Sequence, residues 1–305
     1  MSAPAGSAVP SAEFGPVRVH FGEKSGKYPD GNQLIVTGAD TRVAFDTPIV
    51  ANRIGAELDT VDFVVLGHVH EDHMAGLRRL ANKPLHVHEH DLLAARSWEG
   101  LARHYGYTPA VLAALRPKIE REFDYAPRPD AIAYRHEDAW DLGGGVRVRA
   151  LHLPGHTSGH CALFVEPHAM VFIGDMDLSG FGPYYGDASS SLEETRRSLA
   201  VLAGLDAKVW ITSHHKGVIT ERERFDALLA AYAARVQERT ARLVASIAAG
   251  PKTLEELVRG RLMYPPDHDD LWVDCAERRA ILMHLDELLA ERRVALGEDA
   301  RYRVG

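Results

Sequence analysis

An α/β fold is predicted by three features of the 305-residue sequence. Short apolar runs follow one another from Val17 to Leu66, and helical and extended patterns then alternate along the chain. A composition of 46% hydrophobic and 26% charged residues suits a soluble globular chain with a sizeable core. The length accommodates one large domain, or a domain of about 250 residues with a small appendage.

Residues 1–16 are small, polar and Pro-containing, with no basic segment ahead of an apolar one, and read as a flexible leader. The runs VRVHF, QLIVTG, TRVAFDT and VDFVVLG, separated by Gly, Asp and Pro, predict a meander of strands. MAGLRRLAN then reads as a short helix closed by Pro84, and LHVHE as a strand. Residues 91–124 change character: DLLAARSWEGLARHYGY and PAVLAALRPKIEREF carry apolar residues at helical spacing, predicting a helical insertion able to cover a cleft. AIAYRH, GGVRVRALHL, HCALFVE and AMVFIGD predict strands, SLEETRRSLAVLAGL a helix and KVWITSH a strand. A long amphipathic helix follows over residues 220–248, closed by Gly250 and Pro251. Residues 17–250 are thus expected to form the main domain. Residues 251–305 hold two more helices and a terminal hairpin, the outline of a small winged-helix-like α+β unit.

The formal net charge is −8, and the last 55 residues carry 9 Lys/Arg against 12 Asp/Glu. Such a balance argues against a strongly electrostatic nucleic-acid binder and lets the tail pack or form a homodimer instead. Loss of dimerisation with intact activity on truncation at Gly250 would mark the tail as an assembly element. The absence of any run of about 18 apolar residues argues against a membrane span. Two distant cysteines, Cys161 and Cys275, form neither a disulfide framework nor a CxxC zinc site, so free thiols and a cytoplasmic location are expected.

The stretch GHVHEDHMAG at 67–76 concentrates the chemistry. His68 and His70 follow an apolar strand at i and i+2, so an extended backbone sends both imidazoles to one side. Asp72 and His73 come as the chain turns. Alone, these residues could belong to a solvated acidic loop, but His156 in LHLPGHTSGH, Asp175 in MVFIGDMD and His214 in VWITSHHKG each close another apolar strand. Imidazole and carboxylate are the donors suited to zinc and its first-row neighbours.

HVHEDH resembles the HxHxDH signature of the metallo-β-lactamase superfold, and His156, Asp175 and His214 match its later motifs in order. The resemblance covers roughly residues 17–248. It implies an αββα sandwich in which His68, His70 and His156 hold one metal, Asp72, His73 and His214 hold a second, and Asp175 bridges them. The two divalent ions would be Zn2+, with Mn2+ or Fe2+ as alternatives. TSHHKG departs from the family's GH form; His214 aligns with the family's histidine, and His215 is the other candidate. Asp72 would be both a ligand and the residue that orients a metal-bridging hydroxide.

Around this set, Asp46 in VAFDT either supports the ligand loop by hydrogen bonds or is an ordinary turn residue. His86, His88 and His90 read as the exposed positions of an alternating strand. His160 and Cys161 follow the metal turn, with Cys161 read as a small buried residue. Tyr184 or Tyr185, in the loop GFGPYYGD, could donate to a substrate oxygen or simply pack. Trp98, His104 and Tyr105 line the pocket or belong to the core. Glu71 is expected to face solvent.

Three reactions fit the resemblance. A helical insertion and acidic charge suit hydrolysis of a small acyl thioester, lactone or ester, as in the hydroxyacylglutathione hydrolases. The tail resembles extensions on some endoribonucleases of the superfamily, although its acidity weakens a nucleic-acid role. Persulfide dioxygenases use one iron, for which His68 or His70, His156 and Asp175 would serve.

Overall fold

The computed structural model describes residues 9–305; residues 1–8 of the expected leader lie outside that range. The first sheet runs β1 (Ser11–Phe14), β2 (Val17–His20), β3 (Gln33–Thr37), β4 (Arg42–Phe45), β5 (Phe63–Val65), β6 (Leu85–His88) and β7 (Ile132–Tyr134) in spatial order. It is antiparallel up to β4 and parallel from β4 onward. The second sheet lines up β8 (Ala139–Asp141), β9 (Arg147–His152), β10 (Cys161–Glu166), β11 (Met170–Phe172), β12 (Val209–Ile211) and β13 (Val218–Ile219), with β11 and β12 parallel.

The period-two alternation of these strands sorts their side chains into layers. Leu34, Val36, Val43 and Phe45 meet Leu163, Val165 and Phe172 between the sheets. The intervening Ile35, Ala44 and Val64 face the opposite way, onto Leu101, Leu115 and Ile119 of the helices Trp98–Tyr105 and Pro109–Glu122. On the far side Ala162, Phe164 and Trp210 pack on Leu199 and Phe225 from the helices Leu192–Ala203 and Arg222–Ala248. The result is helix, sheet, sheet, helix: the expected αββα sandwich.

Several local expectations are corrected. Ser11–Phe14 is not a free leader but an edge strand paired with β2, because β2's own ladder supplies the hydrogen bonds that its short, small-residue sequence does not advertise. MAGLRRLAN is not an α-helix: Leu77 N–H to Met74 O, Arg79 N–H to Gly76 O and Leu80 N–H to Leu77 O form successive three-residue turns. Met74, Leu77 and Leu80, three apart, are all buried by that winding. β8 and β13, at three and two residues, were too short to read.

The tail comprises the helices Leu254–Gly260 and Val273–Ala290 and the hairpin β14 (Val294–Leu296) and β15 (Tyr302–Val304). Leu257, Ile281, Leu285 and Leu288 share one apolar cluster with Val236, Leu243 and Ile247 of the long helix. No helix among the described residues is long and apolar enough to cross a membrane.

His284 sits wholly buried at this junction. Its Nδ1–H donates to Thr240 Oγ1 (3.0 Å), whose own proton goes to Val236 O, and its Nε2 accepts from the Tyr185 hydroxyl (2.9 Å). Burial, then Arg196 and Arg239, push its pKa down to about 3. An unfolded imidazole titrates near about 6.5, so below that pH protons favour the unfolded chain. The stability held by neutral His284 is complete above about pH 6.5 and lost progressively toward about pH 3, at about 1.4 kcal/mol per unit. Between about pH 7 and about pH 5, urea unfolding of His284→Asn should therefore lose about 2 kcal/mol less than the native chain; equal losses would refute the assignment.

Candidate metal centre

The carboxyl ends of β5, β9, β11 and β12 open onto one rim of the sandwich, and the loops leaving them carry the histidines and acids. Strand ends suit this task because the ladders behind them hold the loop roots rigid. His70 is the extended residue that precedes a single 3-10 turn, Glu71–His73. This turn brings Asp72 and His73 beside His214, with the His73 ring 4.0 Å from that of His68.

His156 Nε2 lies 3.2 Å from His68 Nε2 and 3.1 Å from His70 Nδ1, and all three rings are buried. A tetrahedral zinc ion with bonds of about 2.0–2.1 Å spaces its ligand atoms about 3.3–3.4 Å apart, so the three nitrogens stand close to three vertices of such a shell. Asp175 Oδ2, at 3.5 Å from His156 Nε2 and 3.9 Å from His68 Nε2, stands toward the fourth. Burial, then neighbouring His70, hold His156 down to about 3, and burial keeps His68 well below its ordinary value. Their inward nitrogens therefore present lone pairs.

A second group faces the other oxygen of the same carboxylate. Asp175 Oδ1 is 3.1 Å from His73 Nε2 and 3.4 Å from His214 Nε2, while Asp72 Oδ2 is 3.2 Å from His214 Nε2 and 3.6 Å from His73 Nε2. Buried His73 Nε2 and Asp175 Oδ1 have no hydrogen-bond partner despite their closeness. Two misaligned donors of this kind fit a shared cation rather than each other. Burial opposes charge on His73 and His214, yet Asp175 and Asp72 raise both well above the imidazole norm. The pocket thus demands positive charge, which divalent cations would supply in place of those protons. The donor set fits two such ions: His68, His70, His156 and Asp175 around one, and Asp72, His73 and His214 around the other.

Outward-facing hydrogen bonds set which nitrogen of each ring turns inward. His73 Nδ1 meets Asp46 Oδ2 at 2.8 Å, His214 Nδ1 donates to Gly26 O at 2.7 Å, and His156 Nδ1 donates to Tyr184 O at 3.2 Å. Asp46 holds a left-handed backbone (φ 54°), and its other oxygen accepts from Gly67 N–H, so it supports the ligand loop rather than merely turning the chain. His160 Nδ1–H donates to Leu153 O, leaving Nε2 to accept the Asp175 N–H at 3.3 Å. This approach requires Gly174, since a Cβ there, at φ +54°, would stand 2.7 Å from His160 Nε2.

Two buried carboxylates escaped the sequence reading. Asp91 joins the ligand loop after β5 to the one after β9, accepting from Val69 N–H, Thr157 Oγ1 and Gly159 N–H. Asp187 Oδ2 meets His70 Nε2 at 2.8 Å, and its Oδ1 accepts from Tyr107 (2.6 Å) and Tyr184 (2.9 Å). Burial opposes its charge, but the His70 hydrogen bond holds it below the usual carboxylate range. Each is a lone acid just past a strand or in a Gly/Pro-rich loop, the only local hint available.

The remaining candidates divide. His215 turns off the cluster, with Nε2 3.6 Å from Asp177 Oδ2 and its ring 6.5 Å from that of His214. Tyr184 lines the cleft, while Tyr185 is core. Tyr105 lines the cleft, Trp98 packs against Tyr125, and His104 lies buried behind His70. Glu71 does not face solvent: it accepts from Tyr105 (2.5 Å) and Tyr28 (3.1 Å) on the cleft wall, because the 3-10 turn folds its side chain inward. His88, expected exposed, is 2% exposed and stacked on His152 at 4.1 Å, since β7 and the second sheet cover β6. Cys161 is fully buried.

A family model described as the metallo-beta-lactamase superfamily matches residues 29–214. A hydroxyacylglutathione hydrolase from Aeromonas salmonicida is 27% identical over 159 residues, covering 52% of this chain and 50% of that one. The chain thus spans about half the length of this curated relative. The crystal structure of a metallo-beta-lactamase family protein from Thermus thermophilus superposes with a TM-score of 0.68 at 26% identity, covering 96% of this chain and 99% of that one. A beta-lactamase domain protein from Burkholderia ambifaria gives 0.67 at 22% identity, covering 97% and 94%, a likeness of fold alone.

Proposed function

Because the chain belongs to the metallo-beta-lactamase superfamily, we propose that it is a dinuclear metal-dependent hydrolase of a small acyl thioester, ester or lactone. One observation carries this reading: the two oxygens of Asp175 face two separate groups of inward-turned donors. The hydroxyacylglutathione hydrolase likeness favours a thioester among the candidate substrates. Glu71, Asp177, Asp187 and Asp270 outnumber Lys27 and Lys216 on the cleft wall, a balance that disfavours a phosphodiester polyanion.

His68, His70 and His156 would hold one cation and Asp72, His73 and His214 the other, with Asp175 available to both. When bound, the pair supplies a water ionised near neutral pH and polarises the substrate carbonyl. Asp72 orients the attacking water. Tyr184, whose hydroxyl rests on Asp187, reorients to donate to the carbonyl oxygen as negative charge develops there. Water adds across the acyl bond, which breaks to give a carboxylate and a thiol or alcohol. The tail, expected as a winged-helix-like unit, would act by packing on this domain.

Elemental analysis of protein purified without added metal tests the reading. Two zinc or manganese ions per chain, with turnover of thioesters or lactones, is the expected result. His70→Ala should lose metal and turnover together. One iron per chain with no hydrolysis would replace the proposal by a dioxygenase.

A further inference from the structure

The cleft above the metal centre, about 760 Å³, is closed on its outer side by residues that come from beyond Gly250, among them Tyr264, Pro265 and Trp272. These residues pack on the catalytic side rather than standing apart. The Tyr264 ring lies 5.2 Å from Phe181, and Trp272 lies 6.4 Å edge-on from Tyr28, whose hydroxyl reaches Glu71.

The segment that carries them is firmly held. Glu277, 0% exposed, accepts the backbone N–H groups of Leu262 (2.6 Å), Met263 (2.8 Å) and Tyr264 (2.7 Å). Three amides converging on one buried carboxylate form an anchored turn, since each would otherwise be costly to bury unpaired. The same helix also reaches the loop that carries the lining residues Phe181 and Tyr184, through His284 hydrogen-bonded to Tyr185.

Tyr28, Leu115, Tyr264 and Trp272 give the cleft apolar faces, beside the charged or ionisable side chains of Lys27, Lys216, His268 and Asp270. Ring faces and a leucine offer an extended apolar chain a place out of water. A volume of this size holds a medium-length substrate.

We infer that the C-terminal segment 262–272 is the outer wall of the substrate cleft and selects acyl groups that are apolar and of medium length. This rests on the hydrolase reading above. The tail is then a specificity element of the catalytic domain, not an assembly module alone.

The test is calorimetric titration of the metal-loaded protein with straight-chain carboxylates from acetate to decanoate, the product class of such a reaction. In the native chain each added methylene should tighten binding about two- to fourfold until the cleft is filled. Tyr264→Ala and Trp272→Ala should flatten that dependence for the longer acids while leaving acetate affinity and metal content unchanged. Tyr264→Phe should retain it, which separates lost apolar contact from misfolding. A chain-length dependence unchanged in both alanine variants would overturn the inference and leave the hydrolase reading standing. No binding of any carboxylate by the native chain would overturn both. Length-dependent binding that the variants abolish, without turnover of any acyl substrate, would uphold the wall and reject the hydrolase.

Discussion

Asp175→Asn is expected to reduce the chain from two bound cations to one or none and to slow hydrolysis on the order of 10³-fold, the scale on which a single preorganised electrostatic group contributes. Each oxygen of Asp175 faces a different group of donors, at 3.1–3.4 Å from His73 and His214 and 3.5–3.9 Å from His156 and His68. Asparagine keeps the shape but leaves one oxygen and no charge. The histidines hold Asp175 well below the usual carboxylate range against the opposing effect of burial, so the native group is anionic at every physiological pH. Metal content by elemental analysis and kcat on one thioester check the outcome. Two retained ions with native turnover would remove Asp175 from its bridging role.

His214→Ala should lose one cation per chain and lower kcat on the order of 10²-fold, whereas His215→Asn should keep both ions and stay within about threefold of native turnover. His214 is fixed by Gly26 O on one nitrogen and faces Asp72 and Asp175 with the other. His215 makes no such approach. Asparagine is the control at 215 because that backbone is left-handed (φ 58°), which asparagine tolerates better than alanine. The reverse pattern would exchange the two assignments.

Much of the fold was legible because burial imposes a period on the sequence. β3, β4 and β10 are short, near-continuous buried runs, and the helices around residues 192–203 and 222–248 bury a residue every three to four positions. Those signals are local, and they place the cluster residues at strand ends. Edge pairing is not local: β1 exists through β2, and nothing within SAEF announces it. MAGLRRLAN carried a helical spacing of apolar residues, but successive three-residue turns satisfied the same burial.

The hydrogen bonds around the site show the same division. Asp46, next to a strand end, could be suspected; Asp187, 117 residues from its partner His70, could not. Glu71 shares a motif with four inward-turned residues, and its direction depends on one 3-10 turn and on tyrosines supplied from positions 28 and 105.

By itself the sequence pointed to the layered α/β architecture and to the cluster candidates in their order along the chain, with His214 and His215 both open at the last position, because each depends on residue type and short-range period. Only the tertiary structure decided that His214 rather than His215 joins the cluster, which buried acids orient the imidazoles, and that the tail closes the cleft. Those depend on where loops distant in sequence meet, and a loop's course is set by the packing of the whole chain rather than by its own residues.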